Sequence, residues 1–183
     1  MSRIGKQPIT IPENVSINIE KSLVTVKNNN LTLSQAIPAG IKVENIDNSI
    51  IVTKLKETRQ TKAFHGLTRS LINNMIIGVT DGYTKTLELH GTGYRVAAKG
   101  KGIEISIGFS HPVNFEAPEG VKVEVKDQTT LVISGADKQK VGETDASIRQ
   151  LKKPDAYKGK GIRYQGELVK LKPGKAAKAA EGN

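Results

Sequence analysis

The chain repeats itself, and a repeat constrains a fold more tightly than composition does. Residues 38–54 match residues 118–134 at a separation of 80, with seven of 17 positions identical: Pro38/Pro118, Gly40/Gly120, Lys42/Lys122, Val43/Val123, Glu44/Glu124, Asp47/Asp127 and Val52/Val132. Upstream, residues 24–33 match residues 96–105 at a separation of 72, each reading as strand, Lys, three-residue turn, strand. The separation grows by eight between the two matches, which implies a longer connection in the second copy, containing Gly108-Phe109-Ser110-His111-Pro112.

Within the first copy, Val15, Ile17 and Ile19 alternate with polar residues, the period of a strand with one buried face. Residues 23–27 and 31–33 read as two more strands around Asn28-Asn29-Asn30, because Asn tolerates the positive φ of a tight hairpin. Pro38-Ala39-Gly40 resets the chain, and Ile41/Val43 with Ile50/Val52 predict another hairpin around Asp47-Asn48-Ser49. From Glu57 the period lengthens. Phe64, Leu67, Leu71 and Met75, widened by Ile72 and Ile76, predict the apolar face of a helix opened at Thr58 and closed by Gly78 and Asp81-Gly82. Lys62, His65 and Arg69 fall on another face, read as an ordinary solvated surface ahead of an RNA contact. In the second copy Asp137 is placed to cap a helix carrying Val141, Thr144, Ile148 and Leu151 on one side and ended by Pro154. The expected fold class is α+β: two tandem copies of a small antiparallel sheet with one helix packed on it, spanning 1–81 and 82–152, then a basic RNA-binding extension and tail over 153–183.

Charge is unevenly spread. Of the formal +10, residues 149–178 hold ten Lys or Arg against two acids, while the other eighteen bases nearly cancel sixteen acids. A near-neutral body with a basic end favours a polyanionic partner. The absence of Cys excludes disulfide scaffolds and thiolate metal sites. No apolar run approaches membrane-spanning length and the start lacks the hydrophobic block of a secretory signal, so a soluble chain with no membrane partner is expected. An aromatic share of only 4 % predicts thin cores of Ile, Val and Leu.

Catalytic patterns are missing. His65, His90 and His111 are scattered and none has metal-pair spacing or a neighbouring nucleophile. Glu88, Glu104 and Glu124 sit opposite apolar strand neighbours, as a solvent face does. His90-Gly91-Thr92-Gly93-Tyr94 leads from strand to strand and so lacks the context of a dinucleotide site; its glycines read as a bulge or sharp bend, with Arg95 as a phosphate contact beside it. Gly159-Lys160-Gly161 lacks the Ser or Thr and the preceding long loop of an ATPase-type phosphate site. No catalytic residue, metal or cofactor is expected.

The informative stretch is 152–164. Lys158, Lys160 and Arg163 offer cations to phosphates, with Lys152 and Lys153 before them and Lys170, Lys172 and Lys175 after. Gly159 and Gly161 leave room for backbone amides to approach an anion. Tyr157 and Tyr164 offer rings on which an unpaired base or ribose stacks. An extended strip places Lys158 and Lys160 on one side, about 7 Å apart. A flexible linker shares the Lys/Gly content but gains nothing from two Tyr and an Ile. The rival class is a protein scaffold whose basic tail merely steers it to acidic surfaces.

These stretches also carry a resemblance. The opening Met1-Ser2-Arg3-Ile4-Gly5-Lys6-Gln7-Pro8-Ile9, then Phe64-His65-Gly66-Leu67-Thr68-Arg69, Gly91-Thr92-Gly93-Tyr94-Arg95, and above all Tyr157-Lys158-Gly159-Lys160-Gly161-Ile162-Arg163-Tyr164 closely resemble the bacterial-type large-subunit ribosomal protein L-six family. The resemblance runs to about Leu171. It implies two tandem α+β units, a non-enzymatic role in the large ribosomal subunit, and ribosomal RNA binding chiefly through the second unit and its extension. It also implies neighbouring large-subunit proteins and nearby translation GTPases at the stalk base, in the cytoplasm or an organelle. Pro154-Asp155-Ala156 stands where the family usually has Pro-Glu-Pro, which is expected to loosen the approach to the strip without moving its cations.

Overall fold

A computed structural model describes residues 3–28, 31–100 and 102–174. Chain contacts divide it into two units: one runs to Tyr83 and takes in Ala136–Lys138, the other holds Thr84–Gly135 and continues from Gln139. Eight strand pairings among the described residues are antiparallel. Among the described residues no helix is long and apolar enough to cross a membrane.

The first unit contains β1 (Ile9–Thr10), β2 (Ser16–Ile19), β3 (Leu23–Asn28), β4 (Leu31–Ala36), β5 (Ile41–Ile46), β6 (Ser49–Lys54) and α1 (Arg59–Thr80). They form two three-stranded sheets, β1-β6-β5 and β2-β3-β4, with α1 against β3, β4, β5 and β6. Asp47 and Asn48 adopt φ of 47° and 60°, the pair of left-handed residues that a two-residue hairpin needs. Asn48 also exchanges bonds with β1's end, donating Nδ2 to Ile11 O at 3.2 Å. Thr58 caps α1 by a reciprocal bond pair with Thr61, and the helix closes where Asp81 and Gly82 (φ 74°) both donate to Ile77 O.

The helix is rotated from the expected face. Its buried line is Thr61, His65, Thr68, Ile72, Met75, Ile76 and Val79, while Leu67 is exposed and Phe64 and Leu71 are half-buried. Gly78 lies inside the helix rather than closing it. His65 is therefore a core residue, not part of a solvated face. It is 5 % exposed, its Nε2 lies 2.9 Å from Val52 O, and Gly5 rests so closely on the ring that a Cβ there would come within 2.5 Å of Nδ1. Two of these polar residues are met by backbone oxygen, His65 by Val52 O and Thr61 by Lys56 O at 2.6 Å, whereas Thr68 Oγ1 is buried with no hydrogen-bond partner among the described residues.

The second unit repeats the plan with β7 (Tyr83–His90), β8 (Arg95–Lys99), β9 (Gly102–Ser106), β10 (Val113–Glu116), β11 (Val121–Asp127), β12 (Thr130–Gly135), α2 (Lys138–Leu151) and β13 (Gly161–Tyr164). Its sheets run β8-β9-β10 and β11-β12-β7-β13. α2 buries Val141, Thr144, Asp145 and Ile148; Leu151 is half-buried. The segment expected as a separate extension thus contributes a sheet strand, paired with β7 from Gly161↔His90 to Tyr164↔Leu87.

The repeat is real but its upstream alignment shifts by a strand. The central, alternately buried strands are β3, with Val24 and Val26, and β9, with Ile103 and Ile105, so the separation there is 79 rather than 72. Residues 96–99 correspond instead to β2. The expected eight-residue insertion shrinks to one: seven residues lie between Ile105 and its partner Val113, six between Val26 and its partner Leu33. The facing of Asn28 with Leu31 and of Lys99 with Gly102 leaves two-residue tips, not three. Asn29, Asn30 and Lys101 lie outside the described residues. Downstream, Gly40 and Gly120 share φ of 87° and 85°, and the 80-residue match holds until β11. An irregularity between Val125 and Asp127 then adds one residue, so Val52 corresponds in pairing to Ile133 instead of Val132.

Candidate nucleic-acid interface

The stretch after α2 is a closed loop followed by a strand. Asp155 organises it: its carboxylate accepts from the amides of Tyr157 (3.2 Å) and Lys158 (2.8 Å), its carbonyl accepts from Gly159 N at 2.9 Å, and its own amide donates to Lys160 O at 2.9 Å. These amide bonds hold the Asp155 carboxyl below its ordinary pKa. Residues 156–158 are accordingly a turn, so Lys158 and Lys160 do not line one face of an extended strip. Lys172 N reaches back to Ala156 O at 2.7 Å, tying the following chain to the same loop.

Gly159 and Gly161 serve packing rather than an open anion cradle. Both are buried, with φ of 67° at Gly159 and 151° at Gly161. A Cβ on Gly161 would stand 2.6 Å from Lys153 O; one on Gly159 would collide with the Arg163 guanidinium. Arg163 is half-buried and turned inward, donating Nε to Gly159 O at 3.1 Å with a second, closer bond from Nη2.

Tyr164 is also engaged within the protein. Its half-buried ring has Arg149 Cζ 5.0 Å and Lys85 Nζ 5.8 Å from its centre, and its hydroxyl interacts with Asp145. Asp145 is 3 % exposed. Burial raises its pKa, with Lys85, Arg149 and the Tyr164 bond opposing that rise. Burial, then the nearby Asp145 charge, raises the Tyr164 hydroxyl in turn. Glu167 completes the clamp, accepting from Arg149 Nη2 at 2.6 Å and from Tyr164 N at 3.0 Å, contacts that lower its pKa. β13's outward amides are both occupied, Ile162 N by Lys152 O at 2.8 Å and Tyr164 N by Glu167, which shields an edge strand from stray pairing.

Glu167→Gln is expected to lower stability by about 1 kcal/mol, or about 2–4 °C in melting temperature, near neutral pH. Because the folded pKa lies below the ordinary value, the carboxylate's contribution is present above that value and lost as pH falls through the folded pKa. Asp145 runs the opposite way: its contribution is full below the ordinary carboxylate pKa and lost as pH rises through its raised folded value. Melting curves of the two proteins at about pH 7 and about pH 3 check this; the gap should narrow in acid, and a gap of equal size at both would remove the Glu167 charge from the clamp.

What remains for a polyanion is an exposed set of cations. Lys153, Lys158, Lys160, Lys170, Lys172 and Arg95 are exposed, Lys152 is half-buried, and Tyr157 is 60 % exposed. Lys175 lies outside the described residues. Gly161 faces His90 in the sheet, and Lys160 Nζ donates to Thr92 Oγ1 at 3.3 Å, which joins the lysine loop to the turn before Arg95. That turn is a bend, with Tyr94 N donating to Gly91 O at 3.2 Å and Gly93 at φ 75°. Asp155, Arg149, Asp145 and Glu167 were not singled out from sequence as parts of this construction; only the position of Asp155 three residues before Lys158, the spacing of an Asx-type turn, marks any of them.

The residue matches extend to a whole family. The family model described as Ribosomal protein L6 matches residues 11–82 and again residues 90–165. Its two matched segments start 79 residues apart, the separation found between β3 and β9. With both units of the chain covered, the chain belongs to the ribosomal protein L6 family.

Proposed function

We infer that this chain anchors itself to large-subunit ribosomal RNA through the rigid lysine loop of its second unit, and that its body buttresses the region where translation GTPases dock near the stalk base. Membership of the family makes it a structural ribosomal protein of the large subunit that binds ribosomal RNA, not an enzyme. Lys158 and Lys160 neutralise phosphates, Tyr157 stacks, and Arg95, Lys152, Lys153, Lys170, Lys172 and Lys175 extend the contact. Arg163, Tyr164, Gly159 and Gly161 act behind them as the frame. The two units carry a division of labour, with the first unit turned to neighbouring ribosomal proteins and the second, which takes in the stretch after residue 152, to RNA.

The observation supporting this most strongly is the Asp155 loop, which fixes exposed cations instead of leaving them on a mobile tail. Fixed cations read the shape of a phosphate path, whereas a mobile tail supplies charge alone. The test compares binding to large-subunit ribosomal RNA and to an unrelated structured RNA of equal length at physiological salt. A preference for the ribosomal RNA, lost when residues 157–164 are scrambled at constant charge, is expected. A scrambled chain with undiminished preference would return the stretch to the role of a charged tail.

A further inference from the structure

One exposed ring of the second unit has no part in the interface just described. Of the chain's three Phe and four Tyr, only Tyr157 and Phe109 are exposed, Phe109 at 46 %. It sits in the connection between β9 and β10, and that connection is built rather than slack. Gly108 adopts φ 78°, and a Cβ there would touch the Tyr94 ring at 3.5 Å. A Cβ on Gly91 would strike the same ring at 2.7 Å. Tyr94 is therefore wedged against both the turn before Arg95 and the turn before Phe109. Lys152 Nζ lies 5.2 Å from the centre of the Phe109 ring.

We propose that Phe109 is a second stacking platform, on which an unpaired RNA base lies with Lys152 beside it to meet the phosphate. The occupant follows from the chemistry of the surroundings. An apolar protein partner covering this ring would also have to strip water from Lys152, a costly step without an acid to replace it. A nucleotide offers both halves of the match at once, a π face for the ring and an anion for the ammonium. The spacing of roles also fits: Tyr164 is taken up by Arg149 and Lys85, leaving Tyr157 and Phe109 as the rings available to bases. The proposal rests on the RNA-binding reading above.

The chain has no Trp, so Phe109→Trp installs a single fluorescent reporter at the platform. Titration of that variant with large-subunit ribosomal RNA should quench its emission and shield it from acrylamide. Phe109→Leu should bind about 5- to 150-fold more weakly with an unchanged salt slope, the signature of a lost stack rather than a lost phosphate contact. The pair Lys158→Ala/Lys160→Ala is measured alongside. Tight RNA binding with unquenched Trp and a Leu variant equal to the parent overturns the platform, while weakening by the lysine pair would leave the RNA reading standing. Quenching by large-subunit proteins but not by RNA also overturns it, in favour of a protein contact. Failure of the unsubstituted chain to bind ribosomal RNA at all brings down the RNA reading and the platform together.

Discussion

Gly161→Ala is expected to lower the melting temperature by about 6–12 °C, equivalent to a loss of about 3 kcal/mol, and to abolish ordered RNA binding with it. Two costs combine. Residue 161 adopts φ 151°, where an L side chain is strained, and the new methyl would lie 2.6 Å from Lys153 O and 2.7 Å from Lys153 C and Pro154 Cα. Those neighbours are backbone, so no side-chain rotation relieves the clash. The chain must separate from residues 153–154, and with it go the Ile162 N bond to Lys152 O and the start of the pairing with β7. Gly166→Ala isolates the conformational part, because φ is 77° there but nothing lies within 4 Å of the added carbon. It should cost about 1 kcal/mol, or about 2–4 °C. Thermal unfolding followed by circular dichroism decides the matter. Equal shifts for the two variants would mean that the contact with residues 153–154 contributes nothing, and that Gly161 is needed for its backbone angle alone.

The outline of this fold was legible in the sequence for local reasons. Pro38-Ala39-Gly40 and Pro118-Glu119-Gly120 mark the same turn because only glycine takes φ near 85° without strain, and that requirement is written in residue type. The Asp81-Gly82 end of α1 and the Asp47-Asn48 hairpin were legible on the same ground. Register was not. Neighbouring strands of a small sheet all alternate with period two, so β3 matches β8 by pattern as readily as it matches its true counterpart β9; only the central position in the sheet separates them. His65 was hidden by a different cause. A stripe drawn through apolar residues alone misses a core face in which Thr61, His65 and Thr68 occupy three successive inward positions. The site was legible in composition and opaque in use: Lys158 and Arg163 look equivalent in a sequence, yet one faces water and the other closes onto Gly159 O. That difference is tertiary, set by where β13 pairs, and no spacing rule within the strip encodes it.

The same difference gives the second large effect. Lys158→Ala/Lys160→Ala should leave the melting temperature nearly unchanged, since both side chains are exposed and the loop is held by Asp155 through backbone amides. Lys160 gives up only a surface bond to Thr92 Oγ1. RNA affinity, by contrast, should fall on the order of tenfold to a hundredfold at about 0.1 M salt, and the slope of log affinity against log salt should flatten by about 1.8 for duplex phosphates or about 1.4 for single strands. Arg163→Ala should do the reverse. Removing it deprives Gly159 O of both its guanidinium donors and opens a gap beneath the loop, at a cost of about 1–3 kcal/mol. Its salt slope should stay close to that of the parent protein, because a guanidinium already spent on a carbonyl releases few counterions. Salt titrations of RNA binding paired with melting curves separate the two roles. If Arg163→Ala flattens the slope while the lysine pair does not, then RNA draws the arginine out of its internal bonds, and the loop seen in the free protein is remade on binding rather than preformed for it.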